Sequence, residues 1–88
     1  MGKTKITECA AEHSFYVSDG SVYKNIAELA KGLKQMKKET FAHHCNKEKN
    51  DFQNWVRDVF GLGSLAEKLS TIKSKDVMAR IVSQQIKK

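Results

Sequence analysis

Ser14-Phe15-Tyr16-Val17-Ser18-Asp19-Gly20-Ser21-Val22-Tyr23-Lys24 decides the fold class, because its pattern is that of extended strands while the chain after it reads as helix. Asp19-Gly20 stands between two β-rich runs, the composition of a β-hairpin closed by a two-residue type I′ turn. With that loop, Val17 lies opposite Val22 and Tyr16 opposite Tyr23. Phe15, Val17 and Val22 then share one face and the two tyrosines the other. A lone hairpin is marginal in water, so the Phe15 face is expected to pack on helices.

Five helices follow. Asn25 with Glu28 three places on is a capping pattern, and Ile26, Leu29, Ala30, Leu33 and Met36 behind it recur at helical spacing, which predicts a helix over 26–36. Gly32 inside it costs about 1 kcal/mol relative to alanine, which marks that position as a close-packing contact. Residues 39–45 read as a short second helix with Phe41, His44 and Cys45 on one face. Asn50 caps a third over 51–60, whose stripe is Phe52, Trp55, Val56, Val59 and Phe60, with Gly61 at its left-handed end. Ser64 with Glu67 repeats the capping box for a helix over 65–72, and Ser74 caps a last one over 75–87 carrying Val77, Met78, Ile81, Val82 and Ile86. The predicted class is α+β, mainly helical.

An 88-residue chain holds one domain, since two would each lack a core; residues 13–88 are expected to form it, with 1–12 a partly ordered arm. A compact chain of this length has a radius of gyration of about 12 Å. The apolar runs are only two or three residues long, against the roughly 20 that a membrane span needs, and no apolar stretch follows the basic start. Ile6 stands where a myristoylation pattern requires Ser or Thr. No membrane role is expected, and a cytoplasmic location is, with Cys9 and Cys45 reduced.

Phe15-Tyr16-Val17-Ser18-Asp19-Gly20, Ile26-Ala27-Glu28-Leu29-Ala30, Thr40-Phe41-Ala42-His43-His44 and above all Asn50-Asp51-Phe52-Gln53-Asn54-Trp55-Val56-Arg57-Asp58-Val59-Phe60-Gly61 followed by Leu65-Ala66-Glu67-Lys68-Leu69 resemble a family of small archaeal and bacterial domains of unknown function. The resemblance spans about residues 13–72, and His44 falls at the family's histidine position. It supports the element boundaries and implies no activity, so no catalytic residue is carried over.

Candidate chemistry divides quickly. Cys9-x-x-x-His13 with His43, His44 and Cys45 contains zinc-ligand types, but adjacent ligands on a helix point apart and no two tight pairs occur, so no metal is expected; His44 and Cys45 are expected in the core and His43 outside. A Cys-His pair without an orienting group or oxyanion loop, and with no phosphate loop or nucleophile elbow, predicts no enzyme, no catalytic residue and no cofactor. Asn50 and Asp51 have a sufficient role in capping a helix N-terminus. Helices two and three also read as a helix-turn-helix variant presenting Gln53, Asn54 and Arg57, opposed by Asp51 and Asp58 on the same helix and by a long turn.

Charge points to a partner. Sixteen Lys and Arg against ten Asp and Glu leave a formal charge of +6, which favours polyanions. Only Arg57 and Arg80 are arginines, so contacts are expected to be sequence-tolerant. Lys31, Lys34 and Lys38 recur on the first helix, with Lys24 and Lys37 nearby; such a face is ordinarily just solvated. With Tyr16 and Tyr23 as stacking residues on the hairpin's outer face, these lysines are the expected nucleic-acid surface. The alternative is a protein-interaction adaptor that docks a chain through the tyrosine face or the open strand edge.

Overall fold

Three of the five helices begin where a side chain satisfies one of the first N–H groups. The computed structural model describes residue 9 and residues 11–87, and in it a 3-10 turn at Ala11–His13 leads into a hairpin, β1 (Phe15–Tyr16) and β2 (Val22–Tyr23), followed by α1 (Ile26–Gln35), α2 (Lys38–His44), α3 (Asp51–Phe60), α4 (Gly63–Leu69) and α5 (Lys75–Lys87). The fold is α+β and mainly helical. Asn25 Oδ1 accepts the Glu28 N–H at 2.7 Å, Asn50 Oδ1 accepts the Gln53 N–H at 3.0 Å, and Ser74 Oγ accepts the Val77 N–H at 3.3 Å. Each is an N-cap that replaces water on an orphan donor. Gly61, at φ 67°, ends α3 in the left-handed region, and its N–H returns to the Arg57 carbonyl at 3.0 Å.

The fourth helix departs from expectation at both ends. It starts at Gly63 behind Leu62 with no side-chain cap, so Ser64 lies inside the first turn and does not cap it. It stops at Leu69, where Ser70 and Ile72 donate to the Glu67 and Leu69 carbonyls in tight turns. The bend reflects a tertiary anchor: Asn50 Nδ2 reaches across to the Leu69 carbonyl at 2.9 Å and satisfies one of the helix's last acceptors. Of the expected N-terminal arm, residues 1–8 and 10 lie outside the described residues, while the Cys9 N–H donates to the Lys24 carbonyl at 2.9 Å.

The hairpin corrects the sequence reading. Its loop has three residues, Ser18-Asp19-Gly20: the Val17 N–H donates to the Ser21 carbonyl at 2.9 Å, the Gly20 N–H donates to the Val17 carbonyl at 2.9 Å, and Gly20 takes φ 97°. One residue more in the loop slips the register by one, which exchanges faces. Phe15 therefore pairs with Tyr23 and Tyr16 with Val22. Tyr23 turns inward at 7% exposure, whereas Tyr16 and Val22 stand outside at 63% and 43%. The slip buries the larger Tyr23 ring in place of Val22, the more favourable apolar burial.

Tyr23 stacks on Phe15 with centroids 6.1 Å apart, and Phe15 stacks on Phe52 at 5.2 Å. This aromatic column joins the hairpin to α3, with Trp55 edge-on to Phe15 and its indole N–H donating to the His13 carbonyl at 2.7 Å. On the helical side, α1 and α5 form the most extensive contact between elements, through Leu29 and Leu33 on one and Met78, Ala79 and Val82 on the other, all buried. No helix among the described residues is long and apolar enough to cross a membrane.

Candidate nucleic-acid interface

The inner face of α1 is committed to the core, which leaves its outer face to carry charge. Lys31 and Lys34 project from that outer face, and Lys24, Lys37 and Lys38 continue it at either end, all exposed. Lys24 follows β2 directly and is fixed by its backbone, whose N–H donates to Glu28 Oε1 at 2.7 Å. Lys37 takes the N-cap position of α2 and Lys38 opens that helix. None of the five is in an ion pair among the described residues, in contrast to Lys49 and Lys75.

The stripe is not uniform. Lys31 lines an open groove of about 420 Å³ between the hairpin and α1, whose lining also includes Asp19, Glu28 and Gln35, so two carboxylates share the groove with it. Asp19 is held below its ordinary range because its side chain accepts the Ser21 N–H at 2.9 Å, so it stays charged. Lys34, one turn on, lines a different recess, shared with Arg80 of α5. Sequence reasoning did not find Arg80, because its proximity to Lys34 depends on the packing of two helices distant in the chain.

Tyr16 sits on the hairpin's outer face as expected, but Tyr23 does not join it. Its ring lies over Gly32, where a Cβ would meet the hydroxyl, Cζ and Cε1. Burial raises its phenol above the ordinary value, with Asp19 adding to the effect. Tyr23 therefore leaves the set of possible base-stacking residues and becomes a core residue.

Of the histidines and cysteines, His44 and Cys45 are engaged in structure. His44 Nε2 accepts the Ser18 N–H at 3.0 Å, and its Nδ1 lies 2.9 Å from Asp51 Oδ2. A ring that accepts a backbone N–H at Nε2 carries its hydrogen on Nδ1, so Nδ1–H donates to the carboxylate. Lys49 Nζ lies 3.1 Å from the same oxygen. The pair has the look of a base and its orienting acid, yet the nitrogen that would accept a substrate proton is occupied by the hairpin turn. It ties turn, α2 and α3 together. Cys45 donates its thiol to the Ile72 carbonyl at 3.4 Å, and burial raises its pKa, opposed by Lys73 and reinforced by Asp51. His43 is exposed, and no group of three His, Cys, Asp or Glu side chains among the described residues is placed to hold a metal ion.

The outward face of α3 is paired within itself. Arg57 Nε donates to Asp58 Oδ1 at 2.9 Å, and its terminal nitrogen reaches Asn54 Oδ1 at 3.1 Å and Asp58 Oδ2 at 3.4 Å. That hydrogen bond raises the guanidinium pKa and holds the Asp58 carboxyl below its ordinary range. Of the residues expected to read bases in a helix-turn-helix arrangement, Asn54 and Arg57 thus bond each other, and Arg57 is also held by Asp58. Compared with known proteins, the chain matches no protein-family model, no curated protein and no solved structure.

Proposed function

We propose that the protein is a small cytoplasmic binding module that takes nucleic acid with little sequence preference through Lys24, Lys31, Lys34, Lys37 and Lys38, with Tyr16 adding stacking. The observation that carries this reading is that all five lysines are exposed and none is in an ion pair among the described residues. Ammonium groups held by no carboxylate can release counterions from phosphates without first breaking a contact. Both cysteines are free thiols, as suits a reducing compartment. Binding without turnover fits a histidine whose two ring nitrogens already have partners.

The test is binding to mixed-sequence duplex DNA and to single-stranded DNA and RNA at several salt concentrations. If about four phosphates are neutralised, log affinity falls against log salt with a slope near −3.6 on duplex. Changing Lys31, Lys34 and Lys38 together to glutamine should flatten the slope by up to about one unit for each of them that meets a phosphate, and weaken all sequences alike. Tyr16→Ala should weaken single strands by about 1–3 kcal/mol and duplex far less. No binding at low salt refutes the reading. A protein partner is the second reading, favoured by the paired exposure of Tyr16 and Val22 beside the hairpin groove, an apolar patch such as a docking chain covers.

A further inference from the structure

The two arginines have opposite situations. Arg57 is held by Asp58 and Asn54, whereas the Arg80 guanidinium has no hydrogen bond or ion pair among the described residues. Arg80 lines, with Lys34, a recess of about 330 Å³ between α1 and α5, ample for a phosphate group. Ser83 and Gln84, three and four residues beyond Arg80, line the same recess and add neutral donors. Its one carboxylate, Asp76, has Lys75 Nζ 3.5 Å away to offset its charge. Lys75 also fixes the walls: its side chain is 14% exposed, and its ammonium donates to the Leu33 carbonyl at 3.1 Å and the Lys34 carbonyl at 3.4 Å, joining the last turn of α1 to the start of α5.

We infer that the Lys34–Arg80 recess is a phosphate-binding site. Resting on the nucleic-acid reading above, it is the anchor for a backbone phosphate at the α5 end of the lysine face. A planar guanidinium offers two parallel N–H donors to phosphate oxygens, and an ammonium across the recess supplies the second charge. The walls are set by packing before the ligand arrives, so binding orders the Lys34 and Arg80 side chains and not the backbone around them.

The side-chain Nε–H resonances of Arg80 and Arg57, followed by NMR in the whole chain, separate the possible sources of phosphate. Mixed-sequence duplex DNA and inorganic phosphate are each titrated, and the salt slope for DNA is measured for the unmodified protein, Arg80→Gln and Arg80→Lys. Both ligands should move Arg80 and leave Arg57 in place. Arg80→Gln should reduce the slope on duplex by about 0.9, and Arg80→Lys, which keeps the charge, should preserve it. Inorganic phosphate moving Arg80 while DNA does not bind keeps the recess as a free-phosphate site and refutes the nucleic-acid reading. DNA binding with Arg80 unmoved and the Arg80→Gln slope unchanged refutes the recess and leaves the lysine face standing. Neither ligand moving Arg80 refutes the site outright.

Discussion

Gly32→Ala tests the hairpin register through the sign of its effect. Glycine in a helix interior is about 1 kcal/mol worse than alanine, so propensity alone makes the substitution stabilising by that amount. The register found here opposes it, because a methyl at position 32 meets the Tyr23 hydroxyl, Cζ and Cε1, and a ring that swings aside into the open groove gives up its stacking on Phe15. Overpacking of this kind costs about 1–3 kcal/mol, so the net effect runs from neutral to a loss of about 2 kcal/mol. Tyr23→Leu removes the obstructing end of the ring, and in that background Gly32→Ala should recover the full propensity gain. The double-mutant cycle therefore has a coupling of about 1–3 kcal/mol, equal to the overpacking term. Urea unfolding reads it directly: with an m-value of about 1 kcal/mol/M for a small domain, each kcal/mol moves the midpoint by about 1 M. A gain of the same size in both backgrounds would place Tyr23 away from α1 and return it to the outer face.

Three further outcomes are expected. Trp55→Ala should cost about 3–5 kcal/mol in urea unfolding as a buried aromatic truncation, and Trp55→Phe, which loses chiefly the bond to the His13 carbonyl, about 0.5–1.5 kcal/mol; a midpoint unmoved by the first would put Trp55 on the surface. Asn50→Ser keeps a neutral oxygen able to cap Gln53 but loses the donor to the Leu69 carbonyl, so Asn50→Ala should be worse by about the 0.5–2 kcal/mol of an N-cap; equal losses would show the cap to be idle. Alkaline pH should weaken the fold: Cys45 and Tyr23 have pKa values raised by burial above 9.0 and 10.0, the unfolded chain gives up those protons first, and stability is full below about pH 9 and falls as pH rises through the folded values. Cys45→Ala should remove the earlier part of that decline, and a urea midpoint flat to about pH 11 in the unmodified protein would refute the burial of both groups.

The helices were legible because their signals are local. Asn25, Asn50 and Ser74 satisfy donors within three residues of themselves, and α3 and α5 begin and end where the sequence places them. The hairpin was legible as a hairpin but not in register, since Asp-Gly serves a two-residue turn and, with Ser18 before it, a three-residue loop equally well. What decides between them is a slot over Gly32 and a ring on Phe15, both supplied by other parts of the fold. The Asp51–His44 bond was hidden for the same reason. Seven residues apart across a turn between helices, the two have no spacing rule that predicts contact, and Asp51 had a sufficient local role at the start of α3.

Net charge is a poor guide to a site until each cation is placed. Lys75 is a structural residue that caps the carbonyls of α1, and Lys49 and Arg57 answer carboxylates beside them, so these three contribute to the formal +6 without offering a free charge. Lys31 shares its groove with Asp19 and Glu28, whose charge lowers the local potential a polyanion would meet on the hairpin side of α1. Lys34 stands with Arg80, where the only carboxylate already has an ammonium beside it. The surroundings of Lys31 and Lys34 thus differ in kind although the two stand one turn apart on the same helix. Of the single substitutions on that helix, Lys34→Gln should flatten the salt dependence of nucleic-acid binding more than Lys31→Gln does. Equal effects would show that the carboxylates of the hairpin groove do not shape the field over the lysine face.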